Sequence, residues 1–217
     1  MRKTTILLLA FLFSFQTPSH AGNELLASHG IETEGLSAPE VALLVETLDE
    51  IGKLEAKNVV INPDVYYRLS GFKRLFGFSF DGKKLEEWIL RRIKSVSREN
   101  TWTIAVNRNA GHFLIGDRFF DKSDFLERAY LLVHEARHSD GDGYRHVRCP
   151  EGHKFVSAGQ PEMDLTKVKA CDDTPDGAYG FHAAFLFELY ARGLVDPERA
   201  GLLYNNAAAR IIPSPKK

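Results

Sequence analysis

The chain has 217 residues, 28 basic and 29 acidic, for a formal charge of −1 at pH 7 with 44% hydrophobic residues. Such a balance implies no electrostatic partner and excludes nucleic acid as an expected one. The length suits a single domain whose core is large enough to fold without a covalent staple.

Arg2 and Lys3 precede an apolar run from Ile6 to Phe15, and Ser19-His20-Ala21 puts small residues where a signal peptidase reads. Residues 1–21 therefore read as a signal peptide, which sends the protein to the periplasm or out of the cell. The apolar run is about ten residues against the roughly 20 that span a bilayer, so no stable membrane insertion is expected after cleavage. The first cysteine, Cys149, lies far from the cleavage site and offers no lipid anchor.

Residues 22–36 lack periodicity and are expected to be a loose mature N-terminus, leaving 37–217 as the folded domain. Ser37-Ala38-Pro39-Glu40 is a capping box opening a helix to about Lys57, with Val41, Leu44, Val45, Leu48, Ile51 and Leu54 on one face. A short strand is expected over 58–62. Residues 66–80 are aromatic and glycine-punctuated, without a defined element. Asp81 starts a helix through Leu85, Trp88, Ile89 and Ile93 to about Val96, and the charges of this region read as a solvated face. Residues 102–107 and 112–119 read as two strands joined by a turn over 107–111.

The stretch DKSDFLERAYLLVHEARHS, residues 121–139, predicts a helix with Asp121 or Ser123 as N-cap and Gly141 and Gly143 beyond its end. Phe125, Ala129, Leu132, Val133 and Ala136 share one face; Glu127, Tyr130, Leu131, His134 and His138 share roughly the opposite one. His134 and His138 stand one turn apart, so both imidazoles reach one cation while Glu135 flanks its open position.

This His-Glu-Ala-Arg-His motif resembles the active-site helix of the zincin metallopeptidases, over this helix and the strand before it. The resemblance implies a Zn2+ cofactor, a zinc-bound water activated by Glu135 as general base, and a peptide or protein substrate. It also implies that residues 112–119 form an edge strand on which an extended peptide pairs. The metzincin continuation is broken, with Gly141 at the glycine position but Tyr144 in place of the last histidine. Met163 stands in no Met-turn context.

Two histidines leave a zinc ion under-coordinated, so a third ligand is needed. His146, eight residues after His138 and beyond a Gly-Asp-Gly turn, is the first candidate. Glu188, placed as in the gluzincins, and His153 and Asp140 are the others. Asp140 and Asp142 are also candidates to hold a histidine tautomer. Tyr144 is a candidate transition-state stabiliser, alongside Tyr179, His153 and His182. In an exported chain Cys149 and Cys171 are expected to pair, since they lack the C-x-x-C spacing of structural zinc sites.

Residues 177–193 read as a buried helix, and Asp196-Pro197-Glu198 starts a last helix to about Arg210. The expected fold is α+β, a helix-dominated single domain with a small antiparallel sheet. The expected function is that of an exported zinc-dependent hydrolase, a metallopeptidase first. A non-catalytic secreted zinc-binding or interaction protein and a zinc amidase acting on cell-wall peptides are the alternatives.

Overall fold

A computed structural model describes residues 19–99, 105–155 and 163–212, and its fold is α+β with helices supplying most of the core. The run from Ile6 to Phe15 lies outside the described residues. The expected cleavage point after Ala21 falls within the first helix, α1 (Ser19–Ser28). The segment expected to be loose is ordered: α1 leads to β1 (Glu32–Glu34), and Leu26 and Ile31 are buried. Its apolar residues are too sparse to show a period, yet docking on the core is what stabilises so short a helix.

The capping box forms, with the Ser37 N–H donating to the Glu40 carboxylate at 2.8 Å, and opens α2 (Ala38–Gly52). This helix stops short of Lys57 because the chain turns at Leu54, whose carbonyl takes the Gly82 N–H at 3.0 Å. No strand forms over 58–62. There Val60 donates to the Ala191 carbonyl at 2.8 Å, and Asn62 caps α3 (Pro63–Leu69), followed by α4 (Phe72–Phe76).

Asp81 caps α5 (Gly82–Leu90) as expected, but the chain is extended again by β2 (Ser95–Arg98), where Val96 is fully buried. Ile93 and Val96 continue the helical spacing by coincidence, and the β-branched residue serves the sheet instead. The hairpin is present as β3 (Ala105–Asn109) and β4 (His112–Ile115); the expected first-strand residues 102–104 lie outside the described residues. After Ile115 the chain turns at Gly116 into α6 (Asp117–Asp121), so the strand expected to reach 119 is shorter.

The four strands lie in the order β1-β2-β4-β3, with β2 parallel to both neighbours and β3 antiparallel to β4. The main sheet is therefore mixed. Because β2 covers one side of β4, residues 112–115 are interior and the edge beside the motif helix is β3, which corrects the expected edge strand.

The motif helix is α7 (Phe125–His138), capped by Asp124, whose carboxylate accepts the Glu127 N–H at 2.8 Å. Between it and α8 (Ala178–Ala191) lie a 3-10 turn (Asp142–Tyr144) and two antiparallel ribbons. One pairs β5 (Val147–Arg148) with β8 (Lys169–Cys171); the other pairs β6 (Lys154–Phe155) with β7 (Met163–Asp164). Asp196 caps α9 (Pro197–Ala208). The main core gathers α1, α2, α4, α5, the sheet, α7 and α8, while Cys149, Leu165 and Cys171 form a separate small cluster. Cys149 and Cys171 are joined as a disulfide, as expected.

Candidate metal centre

The apolar face of α7 behaves as its spacing predicts: Ala129, Leu132, Val133 and Ala136 are fully buried. The histidine face is covered too, because α8 packs on it, and Tyr130 stacks on His182 with ring centroids 3.9 Å apart. His134 is consequently only 6% exposed, and Glu135, which lies against Asn107 of β3, is 5% exposed.

Three imidazoles converge at the C-terminal end of α7. One nitrogen each of His134, His138 and His146 lies within 4.8 Å of the others. The chain returns through Gly141, whose φ of +130° is a conformation that L side chains rarely adopt. The 3-10 turn that follows brings the Tyr144 carbonyl onto His138 Nδ1 at 2.6 Å. His146 Nδ1 meets the Asp172 carboxylate at 2.8 Å. A carbonyl and a carboxylate can only accept, so both Nδ1 atoms carry protons, and a neutral ring then keeps a lone pair on Nε2.

These residues fit a metal ion. His134 Nε2 and His146 Nε2 are 3.1 Å apart, close to the separation of about 3.3 Å for two nitrogens bound tetrahedrally to one zinc. Burial drives the His134 pKa well below its ordinary value, and burial and the neighbouring His146 lower that of His138 to about 4. Both rings are held in the neutral state that ligates.

Asp172 is one of two residues that sequence reasoning missed, the other being Asn107. Asp172 is 3% exposed, and its second carboxylate oxygen accepts the Tyr179 N–H at 2.6 Å. A Cβ on Gly177 would come within 2.4 Å of that oxygen, so glycine is required for the chain to pass. The expected tautomer-holding aspartates act elsewhere. Asp140 bridges Arg92 Nε at 2.9 Å and Arg137 at 2.6 Å, and Asp142 pairs at the surface with Arg145.

The competing third ligands are not brought to the triad. Glu188 is buried against Tyr66, Ser70 and Arg192, taking hydrogen bonds of 3.0, 2.6 and 2.9 Å. Asp140 is held in its two ion pairs, and His153 lies beside the disulfide. Nor does the Tyr144 ring face the cleft: it lies 3.4 Å from the Arg137 guanidinium, and its contribution to the site is its main-chain carbonyl. Tyr179 stacks on His146 at 4.8 Å, with its hydroxyl hydrogen-bonded to Arg210. His182 lies behind His134, with ring centroids 5.9 Å apart.

Glu135 faces a cleft of about 230 Å³ lined by Ala105, Val106 and Asn107 of β3 together with His138, Gly141 and His146. Its carboxylate accepts the Asn107 N–H at 2.8 Å, while the Asn107 amide donates to the Glu135 carbonyl at 2.9 Å and to Ser139 at 2.7 Å. Burial raises the Glu135 pKa to about 8 despite the Asn107 contact. Among the described residues no helix is long and apolar enough to cross a membrane. Comparison with protein-family models, characterised proteins and solved structures finds no match.

Proposed function

We propose that this chain is an exported zinc-dependent hydrolase of the zincin type, acting on peptide bonds. The observation that carries this reading is the convergence of three imidazoles and the buried Glu135 on one cleft bordered by β3, an edge strand of its sheet among the described residues. His134, His138 and His146 would hold the zinc ion. A bound zinc supplies Lewis acidity, polarising a carbonyl and lowering the pKa of water toward neutrality.

The rest is performed by the chain. The Tyr144 carbonyl and Asp172 keep two imidazoles turned to the centre. Asn107 aims the Glu135 carboxylate, whose raised pKa lies in the range where a carboxyl both takes and returns a proton near neutral pH. An extended peptide laid along β3 by strand addition would place its backbone beside Glu135. The disulfide, together with a sequence signal in residues 1–21, supports an extracytoplasmic location.

The test is metal analysis of the native protein together with a quenched-fluorescence peptide library, on wild type and Glu135→Gln. Wild type is expected to carry one zinc and cleave peptides. Glu135→Gln is expected to keep the zinc and lose about 10²–10⁴-fold in kcat. Undiminished turnover by the zinc-loaded variant would remove Glu135 as the base, and zinc-free native protein would remove the reading altogether.

A further inference from the structure

A second group of metal-binding side chains comes together outside the histidine triad. The sulfurs of Cys149 and Cys171 and one imidazole nitrogen of His153 lie within 4.8 Å of one another. In the oxidised protein the two sulfurs are bonded to each other. His153 Nε2 is nevertheless buried with no hydrogen-bond partner among the described residues. Buried polar atoms in native proteins are rarely left so.

The three side chains are held near one another by more than the disulfide. The Cys149 N–H donates to the Val168 carbonyl at 2.9 Å, and the Lys167 N–H returns to the Cys149 carbonyl at 3.0 Å. The Leu165 N–H donates to the His153 carbonyl at 2.9 Å, and β5 pairs with β8 beside the two cysteines. These main-chain bonds join the same segments as the S–S bond. Two thiolates and an imidazole are a donor set that favours soft or borderline ions such as zinc.

We propose that reduction of the Cys149–Cys171 bond opens a second metal site, in which Cys149, Cys171 and His153 bind a zinc ion. A dithiol provides two electrons and two protons and becomes a disulfide, while the S–S bond becomes two thiols. Zinc then displaces both thiol protons to solvent and forms two bonds to sulfur and one to nitrogen. The chain in its reduced form thus holds two metal ions of different chemistry, one on imidazoles alone and one on thiolates.

The test is a cobalt(II) titration of the full chain, oxidised and after reduction with a dithiol that is removed without air. Oxidised protein is expected to take up one equivalent without sulfur-to-cobalt charge-transfer absorption, and reduced protein two, with that absorption. His153→Ala is expected to weaken the sulfur-ligated site at least about tenfold. His138→Ala is expected to leave the sulfur absorption intact, which separates this site from the histidine triad. A reduced protein that takes up no more cobalt than the oxidised form would overturn the proposal, as would sulfur absorption indifferent to His153→Ala. So would loss of far-ultraviolet circular dichroism on reduction without metal uptake.

Discussion

His182 carries both ring nitrogens into the interior with no hydrogen-bond partner among the described residues, stacked on Tyr130. Burial, with the Arg210 charge adding to it, brings its pKa down to about 3. The unfolded chain takes up this proton near 6.5, so between pH 6.5 and about 3 it binds more protons than the folded one and stability falls with pH. The lowered pKa values of His134 and His138 act in the same direction. Replacing His182 with Phe keeps a ring against Tyr130 and removes one of these contributions. Stability is thus lost as the pH falls, and in metal-free protein the variant is expected to gain about 2 kcal/mol on wild type as the pH is lowered from about 7.5 to about 5, read from denaturant melts. An equal pH dependence in the two proteins would refute a neutral buried His182. At this scale His134, Glu135 and His138 were legible because their chemistry is local, three residues on one helical turn. Asp172 and Asn107 were not, since each reaches its partner across 26 and 28 residues of chain.

The ribbon of β5 and β8 gives the disulfide a role in the candidate site as well as in stability. His146 enters β5, Asp172 leaves β8, and Cys149–Cys171 ties the two strands within a few residues of both. Replacing both cysteines with serine opens a loop of sequence separation 22, which is expected to cost about 3 kcal/mol in denaturant unfolding. The same variant is expected to bind zinc about tenfold more weakly in competition with a chromogenic chelator, because the hydrogen bond that orients His146 is no longer clamped. Lower stability with unchanged zinc affinity would show that the disulfide only restrains the chain. Elements of this size were readable where a cap and an unbroken period coincide, as in α2 and α9, or where an apolar run is long, as in α8; α7 was readable from its period, although its cap is Asp124 and not the expected Asp121 or Ser123. They were misread where the signal is short: β2 continues a helical spacing by chance, and β4 is removed from the edge, leaving β3 there, by the parallel pairing of β2 with β4 that no local pattern encodes.

Across the whole molecule, the candidate centre lies on the boundary between two unequal bodies of packing. The large core holds α7 and its apolar face, whereas among the described residues those beyond Gly141 contribute the small cluster of Cys149, Leu165 and Cys171 before the chain returns at α8. Polar contacts join the two beside the ring contacts of Tyr144 and Tyr179: His138 to the Tyr144 carbonyl, His134 beside His146, and His146 to Asp172, whose carboxylate also accepts the Tyr179 N–H and whose own N–H donates to the Arg210 carbonyl. A metal ion on the three histidines would add bonds across this boundary and none inside the large core. Binding to the folded state alone stabilises the protein by mass action, and the effect falls on whatever unit the ligand ties down. Hydrogen exchange of zinc-loaded and chelator-stripped protein is therefore expected to differ over residues 142–155 and 163–172, with faster exchange in the stripped form. Amides of α2, α5 and α8 are expected to keep their protection in both. Uniform loss of protection through the large core on stripping would mean that the metal holds the entire fold, and no change at all would mean that the histidines bridge no metal between these two bodies.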